Sequence, residues 1–146
     1  MNVLSRGEHS GFEWVVAYNR FGYRCGYVRI FNIHPWYGKN YHEIEVDVHG
    51  GLTFGKFDKN RDYWLGFDCN HYGDSPDPSL SSAFKFFLGG TIKDQEYVEH
   101  ECQKLCEAAA AIMPAPLPPP PPPIKNQSVP LKVFIAEQEL KLQNEN

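Results

Sequence analysis

The stretch of sequence that decides the fold runs from Asp94 to Ile112 and reads DQEYVEHECQKLCEAAAAI. Its apolar residues recur at steps of three and four, which places them on one face of an α-helix. They are Val98, Cys102, Leu105, Ala109 and Ile112. Asp94 is suited to cap the N-terminus of the helix, and Pro114 ends it because proline cannot continue a helix. The sequence therefore predicts one amphipathic helix whose apolar face needs a partner.

The segments that precede this helix are rich in aromatic and β-branched residues, which is typical of β-strands. Strands are predicted at residues 12–18, 24–31, 43–49 continued at 52–54, and 63–69. In the third segment Ile44, Val46 and Val48 alternate with polar residues, so one face is predicted to be buried. An antiparallel β-sheet with one C-terminal helix packed on it follows, and the expected fold class is α+β.

The C-terminal part of the chain has a different composition. Nine of the twelve prolines lie between residues 114 and 130, six of them consecutive, and such a run forms a polyproline II rod. The rod can serve as a spacer or as a ligand for an SH3- or WW-like groove. We therefore predict a body at 1–113, a proline-rich linker at 114–130 and a short segment at 131–146. That last segment would dock on the body or on a neighbouring subunit, making a homo-oligomer.

Charge and hydropathy exclude several classes of protein. The 146 residues carry a net charge of -4, all of it in the body, which argues against a general nucleic-acid or anionic-membrane binder. No run of eighteen apolar residues is present, so we expect no membrane helix. The first residues lack the apolar stretch of a signal peptide, and the four cysteines are expected to be thiols. The predicted location is the cytoplasm.

Polar functional groups are densest between Glu45 and Asp74. A hairpin centred near residues 58 and 59 would pair Phe54 with Tyr63 and His49 with Asp68. In that register Asp47 would face Asn70 on the same side of the sheet. His71 and Asp74 would follow at the end of the strand.

This arrangement favours acid–base chemistry, because a histidine oriented by a carboxylate can act as a general base or acid near neutral pH. We take His49, Asp68 and Asp47 as the candidate catalytic residues. Two aspartates and two histidines could also hold a divalent metal, but their spacing matches no metal motif, so the sequence leaves the metal and any other cofactor unknown. The alternative is structural, with the acids capping strand ends. Cys69 would be a nucleophile only if its thiol were acidic and exposed.

A second group of polar and aromatic residues lies in the loop after the second strand. Aromatic rings beside a lysine and a histidine can stack on a base or sugar and hold a phosphate. The candidate ligand-binding residues are His34, Trp36, Tyr37, Lys39 and Tyr41, together with His71 and Asp74. The alternative is a loop that its aromatic side chains anchor to the body.

Three segments occur in a characteristic order: HPWYGKNY at 34–41, VDVHGGLTF at 46–54 and WLGFDCNHYGD at 64–74. EYV at 96–98 and EC at 101–102 follow in the helix. This order resembles a family of small uncharacterised bacteriophage and prophage proteins with HPxYGKxY, VHGGLTF and GFDCxHxGD segments. The resemblance covers roughly residues 20 to 108, and the proline-rich tail departs from it.

The resemblance implies a phage accessory protein in the host cytoplasm. Such proteins often counter host defence, so we expect binding of a small nucleotide-like or phosphorylated ligand, with a cyclic nucleotide as one candidate. A hydrolase that uses the His/Asp cluster, with or without a metal, is the first alternative. A protein–protein interaction module, with the tail as its arm, is the second.

Overall fold

A five-stranded antiparallel sheet forms one layer of the computed structural model, which describes residues 2–82 and 89–113. Along the sheet the strand order is β1-β2-β3-β5-β4. These strands are β1 (Asn2–His9), β2 (Phe12–Tyr18), β3 (Arg24–Ile30), β4 (Phe54–Phe57) and β5 (Tyr63–Asp68). A second, parallel sheet joins β6 (Asp74–Ser75) to β7 (Thr91–Ile92), and helix α1 (Gln95–Ala111) follows at once. This confirms the α+β prediction.

Helix α1 packs on β2 and β3, and four of the five residues of its predicted apolar face are buried. The fifth, Ile112, follows the last helical residue and is exposed, because the helix ends before it reaches the core. The side chains of Val98, Cys102 and Leu105 are fully buried against the sheet. Gly26 of β3 permits this close approach, because a Cβ there would lie 2.6 Å from Sγ of Cys102. As predicted, Asp94 caps the helix and accepts the backbone N–H of Tyr97.

Strand β1 was not predicted from the sequence. It pairs antiparallel with β2 along its length, and Gly7 lies opposite Trp14. Its side chains are exposed or half-buried, so the residues lack the apolar alternation that identifies a strand. Edge strands of this kind are stabilised by the neighbouring strand rather than by their own burial.

The predicted strand at 43–49 is wrong. A short 3-10 helix occupies Tyr41–Glu43, and residues 44–49 contain no strand. The predicted alternation of burial is nevertheless present, since Ile44 and Val48 are buried. An extended segment can bury alternate side chains at the border of the core without joining a sheet, so the pattern alone did not distinguish the two cases.

The predicted hairpin register is also wrong, by three residues. Phe54 pairs with Gly66 and Phe57 with Tyr63, whereas the sequence suggested Phe54 opposite Tyr63. The turn is shorter than expected, at residues 58–62, and the Asp58 carboxylate closes it by accepting the backbone N–H groups of Asn60 and Asp62. His49 and Asp47 therefore do not face β5 across a hairpin.

All described residues belong to one compact unit, Met1–Pro114. Within it, no helix is both long and apolar enough to cross a membrane. The predicted linker at 114–130, the segment at 131–146 and the homo-oligomer that it would form lie outside the described residues.

Replacing Leu105 tests the packing of α1. Leu105→Ala should lower the free energy of unfolding by about 2–5 kcal/mol, because it leaves a cavity between the helix and the sheet. His100→Ala on the exposed side of the same helix is the matched control and should change stability by about 0.5 kcal/mol or less. Urea unfolding followed by circular dichroism measures both. Equal losses would contradict the assigned helix face.

Candidate functional site

The candidate site lies where three segments meet: the turn at 48–51, the end of β5 with β6, and the first turn of α1. Asp74 pairs with Thr91, and Thr91 lies only a few residues before the start of α1. This parallel pairing therefore brings Asp74 close to the N-terminus of the helix. In the turn, Gly51 N–H donates to the carbonyl of Val48 at 2.9 Å, and Gly50 has a φ of +69°, a conformation that favours glycine.

A buried arginine holds two of these segments against the sheet. The guanidinium of Arg24, on β3, donates to Asp77 Oδ2 at 2.9 Å and to the carbonyl of Lys93 at 3.0 Å. Its Nε donates to Gln95 Oε1 at 3.2 Å. These bonds fix the start of α1 relative to the chain that follows β6.

Asp74, His49 and Tyr97 form a continuous chain of hydrogen bonds. Nε2 of His49 lies 2.7 Å from Oδ2 of Asp74, and Nδ1 of His49 lies 2.8 Å from the hydroxyl of Tyr97. The Asp74 side chain is 1% exposed and that of His49 15%, whereas Tyr97 is 38% exposed. The chain therefore leads from a buried carboxylate to a hydroxyl at the surface.

The charge of Asp74 determines the direction of these bonds. Burial raises the pKa of Asp74, but hydrogen bonds from His49 and the backbone N–H of His71, with the charges of His49 and Lys93, outweigh it and leave the pKa below its ordinary value. An ionised carboxylate only accepts, so Nε2 of His49 donates to it. In the neutral imidazole Nδ1 then accepts the Tyr97 O–H.

A second histidine–aspartate pair lies beside the first. Nε2 of His71 is 3.2 Å from Oδ1 of Asp68, and the rings of His71 and His49 are 5.7 Å apart. The first contact lacks hydrogen-bond geometry, so among the described residues this buried nitrogen has no hydrogen-bond partner. Oδ2 of Asp68 accepts the hydroxyl of Thr53 at 2.9 Å. Unsatisfied buried polar atoms are uncommon, which makes His71 notable.

The structure thus brings together four of the predicted residues but pairs them differently. His49 contacts Asp74 rather than Asp68, and Asp68 contacts His71. The third predicted catalytic residue, Asp47, is exposed and outside this cluster. Its charge contributes to raising the pKa of Lys104, after the larger effect of the hydrogen bond from that amine to Glu101.

Two of the predicted ligand-binding residues lie in the core. Nε2 of His34 donates to the carbonyl of Ala109 at 2.8 Å, and Nδ1 accepts the backbone N–H of Trp36 at 2.9 Å. Both ring nitrogens are therefore occupied within the fold. Trp36 is 7% exposed and packs with the core. Neither side chain is accessible to a ligand in this structure.

The other predicted residues of that loop are nearer the surface. Tyr37 donates its hydroxyl to the carbonyl of Arg61 at 2.7 Å. The ring of Tyr41 packs on His42 with centroids 4.2 Å apart, and the Lys39 side chain is exposed. The structure does not bring this loop to the His49 cluster through any described contact, so its ligand-binding role stays a prediction.

Neither a cysteine nor a metal cluster extends the site. Cys69 is 2% exposed, and burial, with the nearby charge of Asp74, raises the pKa of its thiol far above the ordinary value. It therefore does not meet the conditions for a nucleophile. Among the residues that the structure describes, no three histidine, cysteine or acidic side chains converge in a way that could hold a metal ion.

Tyr97 and Lys93 were not among the site residues predicted from the sequence. Nζ of Lys93 lies 3.5 Å from Oδ1 of Asp74 and 5.8 Å from the centre of the Tyr97 ring. Tyr97 also borders an open groove of about 490 Å³ on α1. In the sequence, the one feature that could have indicated Tyr97 is its position as a large aromatic residue in the first turn of the helix, outside the apolar face.

Comparison of the chain with protein-family models, curated proteins and solved structures found no match. The geometry of the His49 cluster is therefore the basis for proposing a function.

The pH dependence of stability tests the environment of Asp74. Because its folded pKa lies below its ordinary value of 3.8, the unfolded chain binds this proton more readily. The contribution to stability is complete above that value and disappears as the pH falls through the folded pKa. Asp74→Asn should flatten the acid-side loss of stability and cost about 1–3 kcal/mol at pH 7.

Unfolding in urea at a series of pH values between about 2 and 7 measures this effect. Asp47→Asn is the control, because Asp47 is exposed and lies outside the hydrogen-bond chain. An acid-side slope that is unchanged in Asp74→Asn would show that the carboxylate is not held as described.

The two glycines of the 48–51 turn provide a matched test of the position of His71. An alanine Cβ at Gly50 would lie 2.2 Å from Nε2 of His71, whereas one at Gly51 has no atom within 4 Å. Both have positive φ, so both substitutions carry similar backbone strain of about 1 kcal/mol. Gly50→Ala should lower the free energy of unfolding by about 1–3 kcal/mol more than Gly51→Ala does. It should also shift the His71 ring resonances in NMR spectra. Equal effects would contradict the contact.

Proposed function

We propose that the protein is a small acid–base hydrolase in which Tyr97 is the group that contacts the substrate. The observation that carries the proposal is the hydrogen-bond chain from buried Asp74 through His49 to the exposed Tyr97 hydroxyl. Enzymes often use a reactive group that is hydrogen-bonded to a base, with a third residue orienting the base.

The proton path follows from the direction of these bonds. The O–H bond of a bound water breaks and its proton goes to the Tyr97 oxygen, while the phenolic proton moves to Nδ1 of His49. The hydroxide attacks the substrate carbonyl, and Asp74 stabilises the imidazolium. The bond from the carbonyl carbon to the leaving-group oxygen then breaks, that oxygen takes one proton from Tyr97, and Nδ1 of His49 returns its proton to the Tyr97 oxygen.

The pKa of Tyr97 favours this role over that of a covalent nucleophile. Burial of the phenol and, to a smaller extent, the charge of Glu101 raise the pKa above its ordinary value. The hydroxyl therefore stays protonated and passes protons between groups. A tyrosine that attacks the substrate itself would instead require a lowered pKa.

The groove beside Tyr97 indicates the substrate class. Its lining includes Asp94, Glu96 and Glu101, while Lys104 already pairs with Glu101 at 2.9 Å. A phosphate would be repelled by these carboxylates. An uncharged or cationic ester is the substrate class that we propose.

Capture of a nucleotide-like ligand, in a phage accessory role, stays the expectation that the resemblance supports. Of its predicted loop residues, Lys39 presents an exposed side chain, while His34 and Trp36 are buried. The interaction-module alternative depends on the proline-rich tail, outside the described residues.

Hydrolysis of p-nitrophenyl acetate by the full chain tests the proposal. Tyr97→Phe removes one oxygen and should lower the rate about 100-fold or more, because it interrupts the proton path. His49→Gln should cause a comparable loss. Tyr72→Phe is the matched control and should keep the full rate, since Tyr72 is entirely exposed.

Bis(p-nitrophenyl) phosphate serves as the anionic probe and should not be hydrolysed. Circular dichroism checks that each variant is folded. The proposal fails if p-nitrophenyl acetate is not turned over above the buffer rate. It also fails if Tyr97→Phe and the wild type react at the same rate.

A further inference from the structure

The face of the sheet that α1 does not cover carries three aromatic side chains close together. Tyr27 of β3 and Phe54 of β4 both lie opposite Gly66 of β5, so they flank that glycine in one row across the sheet. Their rings meet edge to face with centroids 5.1 Å apart. Trp64 lies two residues from Gly66 along β5 and therefore on the same face.

The absence of a side chain at Gly66 shapes this surface. A Cβ there would lie 2.6 Å from the Tyr27 ring, so that ring rests directly on the backbone of β5. The three aromatic side chains border an open groove of about 520 Å³. We call the surface formed by Tyr27, Phe54 and Trp64, together with the groove that they border, the aromatic face.

Trp64 is held in one orientation. Its indole N–H donates to Oδ2 of Asp58 at 3.0 Å, and this hydrogen bond is the main reason that the pKa of Asp58 is lowered. The other oxygen of Asp58 accepts two backbone N–H groups of the turn. Both oxygens of the Asp58 carboxylate therefore accept hydrogen bonds from within the protein. The hydrogen bond to Asp58 holds the indole of Trp64 in place, with its ring forming part of the groove wall.

Two lysines border the same groove. Lys56 lies opposite Trp64 in the sheet register, and Lys59 follows in the turn. Both side chains are exposed, and neither forms an ion pair with the residues at 2–82 and 89–113. In a chain of net charge -4, this is a local concentration of unpaired positive charge beside aromatic rings.

We propose that the aromatic face binds a nucleobase together with its phosphate. A base stacks on the partly exposed rings, and the phosphate lies between Lys56 and Lys59, as in other sheet surfaces that combine rings with cations. The two lysines favour a phosphate-bearing ligand over a second copy of this chain. In a symmetric contact the second copy would bring its own two lysines to the same place and be repelled, whereas a phosphate has the complementary charge. This inference uses none of the residues of the hydrolase proposal, so either can fail alone.

Tryptophan fluorescence of the full chain tests the inference. Trp14 and Trp36 are buried, so quenching by a stacked base reports on Trp64. Adenosine monophosphate and an eight-residue single-stranded oligo(dA) are the probes, with adenosine to isolate the phosphate. We expect saturable quenching that Lys56→Gln with Lys59→Gln weakens about tenfold. Trp64→Leu, followed by calorimetry, should weaken binding by a similar factor or more.

The control removes two positive charges elsewhere, with Arg6→Gln and Arg20→Gln, and should leave binding unchanged. Similar affinity for the mononucleotide and the oligomer identifies a free nucleotide as the ligand, and at least tenfold tighter binding of the oligomer identifies a single strand. Three results would overturn the inference: no saturable quenching, equal weakening by the control, or weakening by Lys39→Gln and not by the paired lysine variant. Self-association that Trp64→Leu abolishes, without nucleotide binding, would also overturn it.

Discussion

The carboxylate of Asp74 is the group on which the candidate site depends, because it is almost fully buried and two of its partners, His49 and Lys93, come from distant parts of the chain. It accepts from the ring of His49 and from the backbone N–H of His71, and it faces the amine of Lys93. A buried charge without partners would be costly, so the burial of Asp74 depends on these contacts. The position of Tyr97 follows, since its hydroxyl is held by the same histidine.

The parts of the fold that could be predicted are those in which local pattern and tertiary burial agree. The helix is one example, because the three-and-four spacing from Val98 onward has no other satisfactory burial. Residues 43–49 show the opposite case, since alternating burial exists there without a strand. The β4–β5 register was missed because it is set by the Asp58 turn, a hydrogen-bond arrangement that hydrophobic alternation does not encode.

Residue type was sufficient to select His49, His71, Asp68 and Asp74 for the candidate site, but not to pair them. Their pairing depends on the parallel bridge between β6 and β7, each only two residues long, and no sequence pattern identifies such short strands. Tyr97 was missed for a related reason: its place in the cluster comes from the contact between its hydroxyl and His49, which depends on how α1 packs on the sheet. Residue type also did not place His34 and Trp36 in the core, because a ring suited to stacking on a ligand is equally suited to filling a core.

The clamp formed by Arg24 has a consequence for how the molecule folds. Its three acceptors lie 53, 69 and 71 residues further along the chain, and the His49–Tyr97 bond spans 48 residues. Contacts of such long range carry a loop-closure cost that the hairpins β1–β2 and β2–β3 do not. The β1–β2 and β2–β3 hairpins can therefore form from local pairings while the polar cluster is still open, whereas β3 and β5 pair residues that lie 33 to 43 positions apart. The cluster closes only when α1 docks, since Tyr97 lies on that helix. The His49–Tyr97 contact is lost whenever α1 leaves the sheet, so the site reports on the completeness of the native state.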